Sequence, residues 1–136
     1  AAPDFTETLL MAKATDAERE TFERDGVWRK PYGDGDGEFI VTKALIEDGR
    51  QHLMLGAPIP IPVPVRLIHG TADDVVPWQT SQRLMEALTS TDVEFTPVEG
   101  AGHRMSEPHE LEIVLSTVED LCRSLEPQTS DAKPTR

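Results

Sequence analysis

The sequence predicts an α/β fold containing at least one pair of parallel strands joined by a helix. Two segments carry that expectation because they end alike. Pro64-Val65-Arg66-Leu67-Ile68 runs into His69-Gly70-Thr71-Ala72-Asp73, and Val93-Glu94-Phe95-Thr96-Pro97-Val98 runs into Glu99-Gly100-Ala101-Gly102-His103. Each is a run suited to a strand, then a glycine-containing turn, then one ionisable residue five positions past the strand. Between them, Pro77 to Leu88 has helical spacing. Strand, helix and strand in that order form a parallel pair with a right-handed crossover. Neighbouring strands lie about 4.8 Å apart, so Asp73 and His103 leave together from the carboxyl edge, where open α/β sheets place their chemistry.

The elements before this unit read differently. Asp4 to Gly26 is expected to be helical, with Thr15-Asp16-Ala17-Glu18 as a capping box and Gly26 as a C-terminal stop. Pro31-Tyr32-Gly33-Asp34-Gly35-Asp36-Gly37 is expected to be a solvated loop, since its acidic residues lack the twelve-residue calcium pattern. Phe39-Ile40-Val41 reads as a short strand, and Thr42 as the cap of a helix from Lys43 to about Leu55. In Pro58-Ile59-Pro60-Ile61-Pro62-Val63-Pro64, proline at every second position fixes φ and removes donors. The stretch is extended but cannot be a central strand, so it marks a boundary.

After the second strand, Leu111, Val114, Leu115, Val118, Leu121, Cys122 and Leu125 form one apolar stripe at helical spacing. Ser106 and Pro108 suit its first turn, and Cys122 is expected to pack in the core. Pro97 places its strand at an edge. Residues 127–136 are expected to be a disordered tail.

Composition narrows the function. With 136 residues, 38% hydrophobic and 28% charged, the chain is globular. A net charge of −12 argues against nucleic acid and anionic membranes as partners. No apolar run approaches the length of a membrane span. One cysteine among the 136 residues indicates a reducing compartment, cytoplasmic or, in a eukaryote, mitochondrial. His52, His69, His103 and His109 lack metal-ligand spacing, so no metal or other cofactor is expected. A base and its orienting acid on one sheet edge are two-thirds of a catalytic triad. Ser81, Ser90, Ser106, Ser116, Ser124 and Ser130 all lie outside any G-x-S-x-G turn, so the nucleophile is expected to be absent from this chain.

His69-Gly70-Thr71-Ala72-Asp73-Asp74-Val75-Val76-Pro77 resembles the H-G-x-x-D-x-x-V-P segment of α/β-hydrolases, and Gly100-Ala101-Gly102-His103 resembles their G-x-G-H. Ala2-Pro3-Asp4-Phe5-Thr6-Glu7, Ala44-Leu45-Ile46-Glu47-Asp48-Gly49-Arg50, Pro64-Val65-Arg66-Leu67 and His103-Arg104-Met105-Ser106 resemble, more narrowly, the small α/β-hydrolases related to mitochondrial palmitoyl-protein thioesterase and acyl-glucuronide esterase. The resemblance implies the C-terminal portion of an α/β-hydrolase fold. Residues 1–4 would end a preceding strand, 5–63 would form the cap, and 64–126 the last two parallel strands with their helices. It implies hydrolysis of carboxylic esters or thioesters of acyl chains, with a small-molecule or acyl-protein substrate. Asp73 would be the acid and His103 the base, with Asp74 the alternative acid and His69 a turn residue packing beside the site.

Trp78, Phe5 and Leu9 are candidate substrate-lining residues, and Phe5, Leu9, Leu10 and Phe22 would give the cap an apolar surface. The family's first half, with its nucleophile elbow and oxyanion-hole loop, is the expected partner. Self-association through the exposed sheet edge is the alternative, and the chain alone is expected to be inactive. Two other functions compete. One is a catalytically dead hydrolase fragment that serves as a binding or assembly partner. The other is an acyltransferase of the H-x-x-x-D type, using His69 and Asp73, which leaves His103 unexplained.

Overall fold

In the computed structural model, which describes residues 2–31 and 37–126, Pro3 and Asp4 lie in a turn. Asp4 adopts φ +57, a left-handed conformation that Asp tolerates better than most side chains. Its Oδ1 accepts from the Met54 amide at 2.6 Å and its Oδ2 from the Leu55 amide at 3.0 Å. Asp4 therefore braces a distant loop, and residues 2–4 are not assigned to a strand among the described residues.

The single helix expected over Asp4–Gly26 is two helices, a π-helix at Thr6–Met11 and α1 at Asp16–Asp25. The break falls at Thr15, whose extended backbone at ψ 162 opens α1 and cannot continue the preceding helix. Its hydroxyl accepts from the Glu18 amide at 3.2 Å while Glu18 Oε2 accepts from the Thr15 amide at 2.7 Å. Gly26 ends α1 at φ +70, as read.

Two antiparallel strands follow, β1 at Val27–Pro31 and β2 at Glu38–Thr42, in register from Val27 opposite Thr42 to Pro31 opposite Glu38. The loop expected between them lies, for 32–36, outside the described residues. Trp28 and Val41 are paired across the strands and buried, and with Met11, Phe22 and Ile46 they form a small core. Phe22 meets Trp28 edge to face at 5.8 Å. Phe22 is thus core, not cap surface.

Thr42 caps α2 (Lys43–Arg50) by accepting from the Leu45 amide. The helix stops short of Leu55, because the Met54 and Leu55 amides are held by Asp4. At Gly49 α2 touches the π-helix so closely that a Cβ would lie 2.5 Å from Thr6.

The proline-rich stretch is extended, and Ile59 alone bridges, donating to Ala87 and accepting from Thr89. It leads into β3 (Val65–Gly70), α3 (Gln79–Ala87), β4 (Val93–Val98) and α4 (Pro108–Leu125). β3 and β4 are parallel, with Val65 opposite Val93 and Gly70 opposite Val98. Val65 donates to Asp92, and Thr71 to Val98, so even-numbered β4 positions face β3. Pro97 therefore sits on the outer side, where its missing donor is not needed.

α4 differs from expectation at both ends of the argument. Its cap is Glu107, whose amide donates to Glu110 at 2.8 Å, with Pro108 next and Ser106 outside. Leu111, Leu115, Val118 and Leu125 are exposed, and so is Cys122. The helical period was right, but only Val114 and Leu121 of the stripe are partly buried, and Cys122 is not core. No helix among the described residues is long and apolar enough to cross a membrane.

The loops after β3 and β4 are tied together at Gly70. The Ala101 carbonyl lies where a Gly70 Cβ would be, and such an atom would stand 2.2 Å from its oxygen. That carbonyl accepts from Ala72 at 3.0 Å, and the Gly100 amide donates to Thr71 Oγ1 at 2.9 Å. Because the obstructing atoms are backbone, relief requires moving a loop. Gly70→Ala is expected to destabilise the fold by about 1–3 kcal/mol, measured as a lower urea midpoint, and to speed amide exchange at Ala72 and Gly100.

Candidate active site

The tie at Gly70 fixes the two side chains that the repeated strand endings bring forward. Asp73 follows β3, and its side chain is only 6% exposed. His103 follows the left-handed Gly100 turn after β4 and is 48% exposed. His103 Nδ1 lies 3.0 Å from Asp73 Oδ2 and 3.1 Å from Oδ1. Both are acceptors, so Nδ1 carries a hydrogen, and in the neutral ring the lone pair is on Nε2. Among the described residues Nε2 has no hydrogen-bond partner.

Asp73 is held from several sides. Oδ1 accepts from the Val75 amide at 2.9 Å and the Val76 amide at 2.8 Å. Asp73 therefore caps the tight turn at 73–76, whereas α3 begins only at Gln79. Burial raises the pKa of its carboxyl, but the Val76 amide, the His103 side chain and the Val75 amide outweigh it and hold the value below the ordinary carboxylate range. Oδ2 also faces His69 Nε2 at 3.1 Å. His69 is buried at the end of β3, with Nδ1 2.7 Å from Ser81 Oγ and Nε2 3.0 Å from the Val76 carbonyl. It is a member of the polar cluster, beyond the packing role the sequence suggested.

A cavity of about 160 Å³ opens over these groups, lined by Ala2, Ile68, His69, Gly70, Asp73, Val76, His103 and Met105. Met105 adopts φ +45, an uncommon conformation for its side chain. Trp78, Phe5 and Leu9 do not line it. Trp78 instead stacks on Phe95 at 6.2 Å and an interplanar angle of 12°. Asp74, the alternative acid, is exposed while Asp73 takes the histidine. Lys13 Nζ donates to the Val75 carbonyl at 3.1 Å, linking the segment after the π-helix to the acid turn.

Among the described serines, none bonds His103; Ser81 is buried against His69 on the opposite side of Asp73. Among the described residues no group of three or more His, Cys, Asp or Glu side chains could hold a metal ion. Sequence reasoning paired Asp73 with His103 through their matching offsets, and the structure brings the two side chains into contact. It missed Ser81 and Met105, for which only the crossover-helix position of one and the place of the other beside His103 gave any signal.

The lowered Asp73 pKa has a consequence for stability. An aspartate free in the unfolded chain titrates near about 3.9, and this one titrates lower when folded. Its contribution is complete above that unfolded value and is lost as the pH falls through the lower folded one. Asp73→Asn is therefore expected to flatten the acid limb, losing less stability than the unsubstituted chain as the pH falls below about 4, read from urea midpoints across the acid range.

No family model matches the sequence. The mitochondrial palmitoyl-protein thioesterase ABHD10 of Bos taurus is 35% identical over 109 residues, covering 79% of this chain and 35% of the bovine protein. The mouse protein of that name is 32% identical over 91% of this chain and 42% of its own length. The chain thus spans about two-fifths or less of the curated relatives it matches. Among solved structures, a provisionally assigned hydrolase from Agrobacterium vitis superposes with a TM-score of 0.81 at 31% identity, over 88% of this chain and 46% of that one. The α/β-hydrolase domain-containing protein 10 from mouse does so with a TM-score of 0.80 at 29% identity, over 93% and 50%.

Proposed function

This chain is a relative of the α/β-hydrolases and carries part of their fold, and we propose that it supplies the acid and base of a serine-hydrolase triad cleaving carboxylic esters or thioesters of acyl chains. The observation that carries the reading is the 3.0 Å contact of His103 Nδ1 with the buried Asp73 carboxylate, on loops leaving two adjacent parallel strands. In this reading the nucleophilic serine and the oxyanion donors come from chain outside these 136 residues. His103 Nε2 removes the hydroxyl proton as the serine oxygen bonds to the acyl carbon. The tetrahedral adduct expels an alkoxide or thiolate, which takes that proton from Nε2, and a water then repeats the sequence to free the acid. Asp73 holds the Nδ1–H tautomer and stabilises the imidazolium. The substrate class is supported by the names of the relatives, which are palmitoyl-protein thioesterases. Their mitochondrial designation and the lone Cys122 support a reducing compartment.

The test has two arms. The purified chain alone is expected neither to label with a fluorophosphonate nor to hydrolyse p-nitrophenyl esters above background, because rate enhancement here needs a nucleophile and an oxyanion hole. Supplied with a nucleophile-bearing hydrolase half, it is expected to hydrolyse acyl esters, and Asp73→Asn to lower kcat by about 10⁴. Labelling of a serine within the chain alone, or activity indifferent to Asp73 and His103, overturns the assignment.

The exposed α4 stripe favours a second reading, a hydrolase relic retained for assembly. Both readings make that stripe an association surface. Leu115→Glu is expected to shift the isolated chain toward monomer in sedimentation velocity, whereas only the hydrolase reading couples the same substitution to lost esterase activity on complementation.

A further inference from the structure

Asp73 does not stand alone behind His103. A buried polar chain runs from Ser81 on α3, through His69 at the end of β3, to the carboxylate. His69 is 4% and Ser81 3% exposed, and although His69 borders the cavity both of its ring nitrogens face protein partners. The geometry fixes the direction of every proton in this chain. His69 Nε2 faces two groups that only accept, Asp73 Oδ2 at 3.1 Å and the Val76 carbonyl at 3.0 Å. A neutral His69 ring must therefore carry its hydrogen on Nε2, shared between the two. Nδ1 is then an acceptor, and the Ser81 hydroxyl 2.7 Å away donates to it.

Resting on the hydrolase reading above, we propose that His69 is a positioning residue for the acid, and that Ser81 locks its tautomer. His69 grips Asp73 Oδ2, while the Val75 and Val76 amides grip Oδ1. With both oxygens anchored, the carboxylate plane cannot rotate, and it presents both oxygens to His103 Nδ1 at nearly equal distances, 3.0 and 3.1 Å. The His69 bond to the Val76 carbonyl closes the same turn whose amides bind Asp73, so one imidazole braces both the acid and its loop. The H-x-x-x-D spacing is thereby used internally: its histidine spends both ring nitrogens on protein groups and holds the aspartate.

The test uses the full chain labelled with ¹⁵N-histidine, observed by magic-angle-spinning NMR on sedimented protein so that association is no obstacle. At pH 8.5, His69 is expected as the Nε2–H tautomer and His103 as Nδ1–H. The variants exploit side-chain length. Gln places an amide nitrogen near the position of His Nε2 and can still donate to Asp73, whereas Asn reaches only the Nδ1 position, beside Ser81. His69→Gln is expected to keep the His103 Nδ1–H signature, and His69→Asn to convert it to a mixture of tautomers. In the complemented enzyme, His69→Asn is expected to lower kcat by up to about 100-fold with KM little changed, and His69→Gln to restore most of it.

An Nδ1–H or exchanging His69 in the unsubstituted chain overturns the proposal, whatever the variants do. So does an identical His103 signature in the Asn and Gln variants, which would mean His69 only fills space. If the tautomers behave as stated while the complemented enzyme hydrolyses nothing, the hydrolase reading fails and the brace on Asp73 stands.

Discussion

Among the described glycines, Gly70 meets the tightest constraint, the approach of the Ala101 carbonyl at a distance that no side chain would permit. Everything that makes the edge of β3 and β4 chemically interesting follows from it. A parallel pair brings the carboxyl ends of two strands within reach, but loops leaving them are free to diverge. Here the second loop folds back over the end of the first and is held there by Ala72, Thr71 and Val98. His103 is therefore delivered to Asp73 by backbone hydrogen bonds and not by its own side-chain attraction. Its exposed ring could not otherwise resist solvent competition, since an exposed ion pair contributes about 0–1 kcal/mol.

The two histidines of the cluster divide their environment in a consistent way. His69 is buried with both ring nitrogens occupied, and His103, which also lines the cavity, has one nitrogen bound and the other without a partner among the described residues. A buried carboxylate requires donors, and Asp73 has two amides and two imidazoles. That supply explains how the carboxyl stays acidic although its side chain is almost fully enclosed.

How much of this was legible in the sequence depended on whether the signal was local. The paired strand endings, the capping box at Thr15, the extended proline-rich stretch and the offsets of Asp73 and His103 are written in contiguous residues, and each was readable. The β1 strand was not read, because Val27–Pro31 is recognisable only by its pairing with Glu38–Thr42, which also buries Trp28 against Val41. The early end of α2 depends on a carboxylate some fifty positions away. Cys122 was misplaced for the opposite reason. Helical periodicity reports which residues share a face, and it is silent on whether that face has a neighbour. His69 was half legible, since its motif marked it while its role depends on Ser81 and the Val76 carbonyl, which only the folded turn assembles.

Proton direction joins these observations into one argument. Starting at Ser81, each donor faces an acceptor: hydroxyl to His69 Nδ1, His69 Nε2–H to Asp73. Starting at His103, the Nδ1 hydrogen also points to Asp73. Both arms converge on the carboxylate, so the charge sits at the meeting point and the free lone pair sits at the outer end of the exposed arm. The reverse polarity is unavailable, because neither the Val76 carbonyl nor an ionised carboxylate can donate. In the neutral ring, the acceptor of the cluster left without a partner among the described residues is His103 Nε2. A site arranged in this way is suited to receiving a proton from a hydroxyl that approaches from outside the cluster, and a positive charge created there is met at 3.0 Å by a carboxylate already fixed in place.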